Sequence, residues 1–260
     1  MAVADPDWYD SMWLTAYLAA KDIVRRVAPG RLDEFVHAFD RLRTPPGFCA
    51  RHLPDLVEPA RLAELRAAVR SIPQDKYELG EIALFGRLMV HNLPQFTALQ
   101  HEFVDRVSAW AGEEVEPGYN FLSLYTRAGV CRPHLDSPES KWTLDLCLNQ
   151  SAPWPIHFSQ TVPWPDQPAG RMDPAAGAGR HGDTLRYRSV AMEPGDAILF
   201  SGSSQWHYRD PLPQDGNRHF CDLLFLHFIP RGMGELVRPP NWARLFDIPE
   251  LAECAAIANA

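Results

Sequence analysis

The chain lacks any paired spacing of its thiols. Its five cysteines, Cys49, Cys131, Cys147, Cys221 and Cys254, are odd in number and include no CxxC. This argues against a secreted disulfide framework and against a structural zinc site. A basic excess is also missing: 25 Lys and Arg face 33 Asp and Glu, for a formal net charge of −8. A duplex-binding surface needs a positive footprint, so nucleic acid is not an expected partner. Local basic groups such as Arg25-Arg26 and Arg186 with Arg188 read as solvated faces. No apolar run approaches the roughly 18 residues of a membrane-spanning helix. The opening "MAVADPDWYD" is acidic, with no basic stretch ahead of an apolar one, and does not read as a signal peptide. With 46% hydrophobic residues and no long like-charged block, the expectation is one sizeable folded core in a cytoplasmic protein.

What is present changes texture along the chain. Residues 1–116 read mainly as helix. "DWYDSMWLTAYLAAKDIVRRV" has apolar residues at a 3.6-residue period, and "RLDEFVHAFDRLR", "EPARLAELRAAVRSI" and "PQFTALQHEFVDRVSAWAGEEV" follow it. Residues 117–232 read as short strands between turns: "YNFLSLYT", "KWTLDLCLN", "WPIHFS", "DTLRYRSV", "DAILFS" and "RHFCDLLFLHF". Residues 233–260 form a tail. The expected fold is mainly β, a jelly-roll-like core with helices packed on one sheet, all in one integrated unit. Residues 160–182, rich in Pro, Gly and Ala, read as a long loop with Trp164 near its start, a candidate lid.

In "CRPHLDSPESKW" a histidine and an aspartate stand two apart, at His134 and Asp136. Ten histidines and 19 aspartates among 260 residues give ~0.7 such pairs by chance, so the pair needs context. A second pair, His181 and Asp183, lies at the end of the long loop and reads as accidental. The first follows one strand and precedes several more, which offers rigid support. Residues i and i+2 on an extended segment point the same way, so one imidazole and one carboxylate can share a metal. A third histidine would complete a facial triad with its opposite side open, as in non-haem Fe(II) oxygenases.

The candidate third ligand is His207, after the Pro194-Gly195-Asp196 turn and the apolar strand that follows it. His219, His227 and His157 are rivals. Eleven residues beyond His207, Arg218 opens the last strong strand. Its guanidinium suits a bidentate grip on a carboxylate. On "KWTLDLCLN", Trp142, Leu144, Leu146 and Leu148 share one face, and Thr143, Asp145, Cys147 and Asn149 the other. The polar face reads as the wall of a site.

With these residues in place, the chain resembles the Fe(II)/2-oxoglutarate-dependent dioxygenases, in the branch similar to prolyl 4-hydroxylases. The resemblance rests on "YTRAGVCRPHLD", "EPGDAILFSG" and "QWHYRDPLPQDGNRHFCDLLFLHF", within residues 119–228. It implies a distorted double-stranded β-helix, Fe(II) held by His134, Asp136 and His207, and 2-oxoglutarate and O2 as cosubstrates. It further implies that Arg218 pairs with the far carboxylate of 2-oxoglutarate, with Tyr125 nearby and Arg209 as the competing guanidinium. Two positions depart from the pattern: Cys131 and Cys147 stand where relatives often carry tyrosine. A carboxylate at Asp136 implies hydroxylation or a related oxidation rather than halogenation.

Asp145, Thr143, Arg127 and Trp154 are the candidate substrate contacts, with Arg132 flanking the same turn. The expected substrate is a small molecule, an amino acid or a natural-product intermediate, rather than a peptide. Two other readings stay open at this stage: a jelly-roll metalloenzyme that does not use 2-oxoglutarate, and a non-catalytic metal-binding or sensor protein.

Overall fold

Period-two apolar patterning builds two antiparallel sheets in a computed structural model, which describes residues 11–164 and 185–258. The strands are β1 (Arg51–Leu53), β2 (Arg87–His91), β3 (Val115–Tyr125), β4 (Cys131–His134), β5 (Trp142–Gln150), β6 (Ile156–Thr161), β7 (Arg188–Val190), β8 (Ala197–Phe200), β9 (Gln205–Arg209) and β10 (Cys221–Pro230). The larger sheet runs β1-β8-β5-β10-β3-β2 and the smaller β4-β9-β6-β7. The helices are α1 (Ser11–Val27), α2 (Leu32–Ala38), α3 (Pro59–Arg70), α4 (Ile82–Phe85), α5 (Pro94–Glu102), α6 (Val104–Ala111), α7 (Trp242–Leu245) and α8 (Glu253–Ala258). Among the described residues, no helix is long and apolar enough to cross a membrane.

Alternation along β5 decides which face meets the helices. Trp142, Leu144, Leu146 and Leu148 are fully buried against Leu62 and Leu65 of α3, Phe96 and Leu99 of α5, and Val107 of α6. Each such side chain contributes about 1.5–3 kcal/mol of apolar burial. Between the two sheets lies a second apolar cluster, with Tyr125, Cys147, Ile156, Phe158, Ile198, Phe200 and Leu223. A third, aromatic cluster joins both ends of the chain. Trp13 and Tyr17 of α1 and Phe35 of α2 pack with Phe39, Trp242 and Phe246, and reach Trp206 on β9. The tail is therefore part of the helical layer.

The structure differs from the sequence expectation in several places. β1 and β2 lie inside the stretch read as helical, and they form the two edges of the larger sheet. Three or five residues are too few to display a clear alternation. The helix expected over 94–115 divides at Phe103 into α5 and α6. β4 was hidden by Pro133, which breaks the strand signature. The strand expected at 183–190 is reduced to Arg188–Val190 among the described residues.

The Pro194-Gly195-Asp196 turn is a fastening. Asp196 accepts hydrogen bonds from the backbone N–H of Glu193 and of Asp55, and its carboxylate meets His52 Nε2 at 2.8 Å. This ties β1 to the start of β8. Gly195, at φ +104, brings its Cα close to the Val57 carbonyl, where a Cβ would sit at 3.1 Å. Burial works to raise the Asp196 pKa, but the two N–H donors and His52 outweigh it and hold the group below its ordinary value. A depressed carboxylate stabilises the fold above the unfolded pKa of about 3.9, and that contribution fades as pH falls through the folded value. Asp196→Ala is therefore expected to lower stability by about 2–4 kcal/mol at pH 7. The deficit should shrink below about pH 4, as measured by urea unfolding at the two pH values.

Candidate metal centre

Strand pairing creates the site. β4 and β9 run antiparallel with His134 opposite His207, and the imidazole centroids are 4.1 Å apart. Asp136 lies two residues past His134, where the backbone has left the strand. Its N–H donates to the Gly202 carbonyl at 2.9 Å. Its carboxylate then stands between the rings, with Oδ1 3.4 Å from His134 Nε2 and Oδ2 3.7 Å from His207 Nε2. One donor atom from each of the three residues falls within 4.8 Å of the others. Cis ligands at ~2.1 Å from a metal lie about 3 Å apart, so small side-chain shifts would place all three on one ion.

The tautomers suit that role. His134 Nδ1 is 2.8 Å from the Arg132 carbonyl and His207 Nδ1 is 2.9 Å from the Gln205 carbonyl. A carbonyl only accepts, so each Nδ1 carries the proton and donates. In the neutral ring this leaves the lone pair on Nε2, the form a metal requires. Burial, helped by the neighbouring His134, pushes the pKa of His207 down to about 4 and keeps the ring neutral. Burial would raise the pKa of Asp136, but the flanking His207 and His134 hold its carboxyl well below the usual carboxylate range. Burial would lower the pKa of His134, but Cys131 and Asp136 raise it well above the ordinary imidazole value, so a metal has to displace a proton from that ring. With it gone, two imidazoles and one carboxylate form a donor set that fits a divalent transition metal.

The triad borders a cavity of about 270 Å³. Apolar walls come from Phe85, Met89, Phe121, Ile156, Phe200 and Phe225, and polar ones from Glu81, Arg87, Tyr125 and Arg209. Tyr125 is buried, its hydroxyl accepts from Arg87 Nη1 at 2.8 Å, and its ring meets Trp154 edge-on at 4.8 Å. Arg209, two residues past His207 on β9, donates to the Trp154 carbonyl and pairs with Asp145 Oδ2 at 2.7 Å.

Arg218 is the principal correction. It is exposed in the segment before β10 and does not line the cavity. The strand it was expected to open begins only at Cys221, so the side chain falls outside the barrel. The substrate candidates also move. Asp145 is fully buried and its charge is used on Arg209. Thr143 is fully buried and sits 3.0 Å from His227 Nδ1. Trp154 is buried behind Tyr125, and none of the three borders the cavity. Arg127 is exposed in the loop after β3. The inner face of β5 was visible from alternation, but its polar groups are consumed by long-range partners. Trp164 packs on Trp13 and Tyr17 in the aromatic cluster. His181, Asp183 and most of the candidate lid lie outside the described residues.

Of the rival histidines, His227 borders the cavity, whereas His157 and His219 do not. The cavity also contains residues that the sequence reading passed over, above all Arg87 and Glu81. Arg87, Met89 and His91 all face it, and Leu88 and Val90 do not. That alternation in "RLMVH", directly after Gly86, was the available signal.

Gly202 sets the position of Asp136. A Cβ there would lie 2.3 Å from Asp136 Oδ2 and 2.7 Å from the Ser140 carbonyl. Gly202→Ala should displace the carboxylate and weaken Zn(II) binding by at least about 10-fold, the scale of a lost supporting contact. Calorimetric titration of the metal-free chain, alongside circular dichroism to show retained structure, measures this.

No protein-family model and no curated protein matches the chain. Solved structures do match. HygX from Streptomyces hygroscopicus, with nickel, 2-oxoglutarate and hygromycin B bound, aligns at 12% identity over 76% of this chain and 86% of its own, with a TM-score of 0.52. The non-haem α-ketoglutarate-dependent epimerase SnoN from nogalamycin biosynthesis aligns at 16% identity over 81% and 90%, with a TM-score of 0.54. The non-haem α-ketoglutarate-dependent carbocyclase SnoK from the same biosynthesis aligns at 13% identity over 78% and 88%, with a TM-score of 0.54. The fold of this chain is thus the mainly β, jelly-roll-like fold of the 2-oxoglutarate-dependent non-haem enzymes.

Proposed function

We propose that the chain is an Fe(II)- and 2-oxoglutarate-dependent oxygenase that hydroxylates an unactivated C–H bond of a small molecule, an amino acid or a natural-product intermediate. The observation that carries this reading is the convergence of His134, Asp136 and His207 on one wall of a cavity that also holds buried guanidinium groups. The nickel and 2-oxoglutarate bound to HygX support a metal with 2-oxoglutarate here.

Bound at the triad, Fe(II) with 2-oxoglutarate supplies the oxidation, which consumes O2 and yields succinate, CO2 and the alcohol. The protein supplies geometry. The two Nδ1–H bonds to backbone carbonyls fix the ring planes, so both Nε2 atoms meet the metal without rotamer search. Asp136 contributes the anionic ligand and fills the position that a halide would need. One face of the triad stays open to the cavity for cosubstrate and O2. Phe121, Phe200 and Phe225 keep that space poor in water. Tyr125 stands beside the guanidiniums, where the far carboxylate of the cosubstrate needs donors. A cavity of about 270 Å³ falls just below the roughly 300–1,000 Å³ of ordinary ligand pockets. That favours a small substrate over a peptide.

Under air with Fe(II), the chain is expected to convert 2-oxoglutarate to succinate. His134→Ala, Asp136→Ala and His207→Ala should each lower that rate by at least about 100-fold, because losing a ligand costs more than losing its support. Succinate is read by mass spectrometry. Fe(II) binding without succinate, across a broad substrate panel, would favour an enzyme or sensor that does not use 2-oxoglutarate.

A further inference from the structure

The proposed cosubstrate carries a second carboxylate, and three arginines could receive it. Arg218 is exposed and does not border the cavity. Arg209 borders it, but only 3% of its side chain is exposed, and its two Nη atoms are committed to the Trp154 carbonyl and to Asp145. Asp145 is 0% exposed and has no route to water. A second carboxylate placed there would crowd two buried anions around one cation, which disfavours both.

Arg87 is built differently. Its side chain is 13% exposed and it borders the same cavity. Nη1 donates to the Tyr125 hydroxyl at 2.8 Å and lies 3.4 Å from Ser123 Oγ. The tyrosine oxygen accepts from Arg87, and the hydroxyl also hydrogen-bonds with Ser123; its proton can turn instead to an entering carboxylate. Arg87 and Tyr125 together thus present a fork of donors. The partner of Arg87 is Glu81, whose Oε2 lies 2.5 Å from Nε. Glu81 is 28% exposed and sits just before α4, so its carboxylate can exchange into water.

The backbone holds this fork in place. Gly86, at φ +65, separates α4 from β2, and a Cβ on it would fall 2.3 Å from the Ala128 backbone. The Gly86 carbonyl accepts from Thr126 N–H, and the Phe85 carbonyl from Val130 N–H. Arg87 is thereby pinned against the loop that leads into β4 and the triad.

We propose that Arg87 with Tyr125 is the seat for the far carboxylate of the dicarboxylate cosubstrate, and that Glu81, held on the Nε edge of the same guanidinium, balances its charge until the cosubstrate takes over that role. This rests on the oxygenase reading above. Exchange of one carboxylate for another never leaves the guanidinium unpaired inside the protein, the situation that is most costly.

The test is calorimetric binding to the full-length, Zn(II)-loaded chain, with 2-oxoglutarate and 2-oxobutyrate as probes; the second lacks the far carboxylate. Wild type should bind 2-oxoglutarate at least about 10-fold tighter than 2-oxobutyrate, the lower end of a charge-assisted pair. Arg87→Met should erase that preference and leave 2-oxobutyrate affinity and Zn(II) affinity unchanged, which also shows that the variant is folded. Glu81→Gln should tighten 2-oxoglutarate binding about 3- to 10-fold by removing the competitor, and this arm stands even where Arg87→Met does not fold. Undiminished 2-oxoglutarate affinity in Arg87→Met overturns the proposal, as does a loss in Arg218→Met instead, or unchanged or weaker binding in Glu81→Gln. In those cases tight wild-type binding leaves the oxygenase reading standing. Failure of the Zn(II)-loaded wild type to bind 2-oxoglutarate at all removes the oxygenase reading itself.

Discussion

The register between β4 and β9 is the constraint on which the site depends. Opposed residues in an antiparallel pair have Cα atoms about 4.5–5.5 Å apart, close enough for two imidazoles to share one ion. A slip of one residue would turn His207 to the opposite face. Trp206 prevents that slip. It points the other way from His207 and is buried in the aromatic cluster with α1 and α7. Leu135 does the same between His134 and Asp136. The helical layer therefore stabilises the site indirectly, by holding the alternate residues of the strands that carry the ligands.

A second constraint joins the sheets. Arg209 stands on the smaller sheet and Asp145 on the larger, and their 2.7 Å pair crosses the barrel interior almost wholly shielded from water. Such a pair adds little net stability over an apolar one, but removing one partner typically costs about 3–5 kcal/mol. Its effect here is geometric. Arg209 also holds the Trp154 carbonyl, and Trp154 backs Tyr125. The position of the tyrosine hydroxyl, and so of Arg87, follows from a charge pair on the other side of the cavity.

How much of this could be read in advance varies with the range of the interaction. The long strands declared themselves by alternation, and β5 even showed which face meets helices. The three side chains gathered at the centre lie in stretches with a signature of their own, His-x-Asp after a strand and a histidine after a Pro-Gly-Asp turn. Arg218 misled because counting eleven residues from His207 assumes a strand start that the loop before Cys221 does not respect. Arg87 was missed because five residues of strand sit between helices. Asp145 showed its inward direction but not its partner, which is 64 residues away. Sequence periodicity reports orientation relative to a neighbour's surface; it carries no information on which distant charge will be there.

The proposed exchange at Arg87 can be weighed against the charges that line the cavity. Arg209 is neutralised by Asp145 and takes no further part. A divalent ion on the triad, with one charge cancelled by Asp136, leaves a single excess positive charge at that wall. With Glu81 in place, Arg87 adds none. A dianion entering such a site would leave the interior net negative, and a buried net charge is strongly disfavoured. If the far carboxylate takes the place of Glu81, the glutamate carries its charge toward solvent, and metal, triad, Arg87 and dianion sum to neutrality. By the same count a monoanion on the metal, with Glu81 still paired to Arg87, also sums to neutrality, so preference for a dicarboxylate would have to come from the donors that Arg87 and Tyr125 offer its far end.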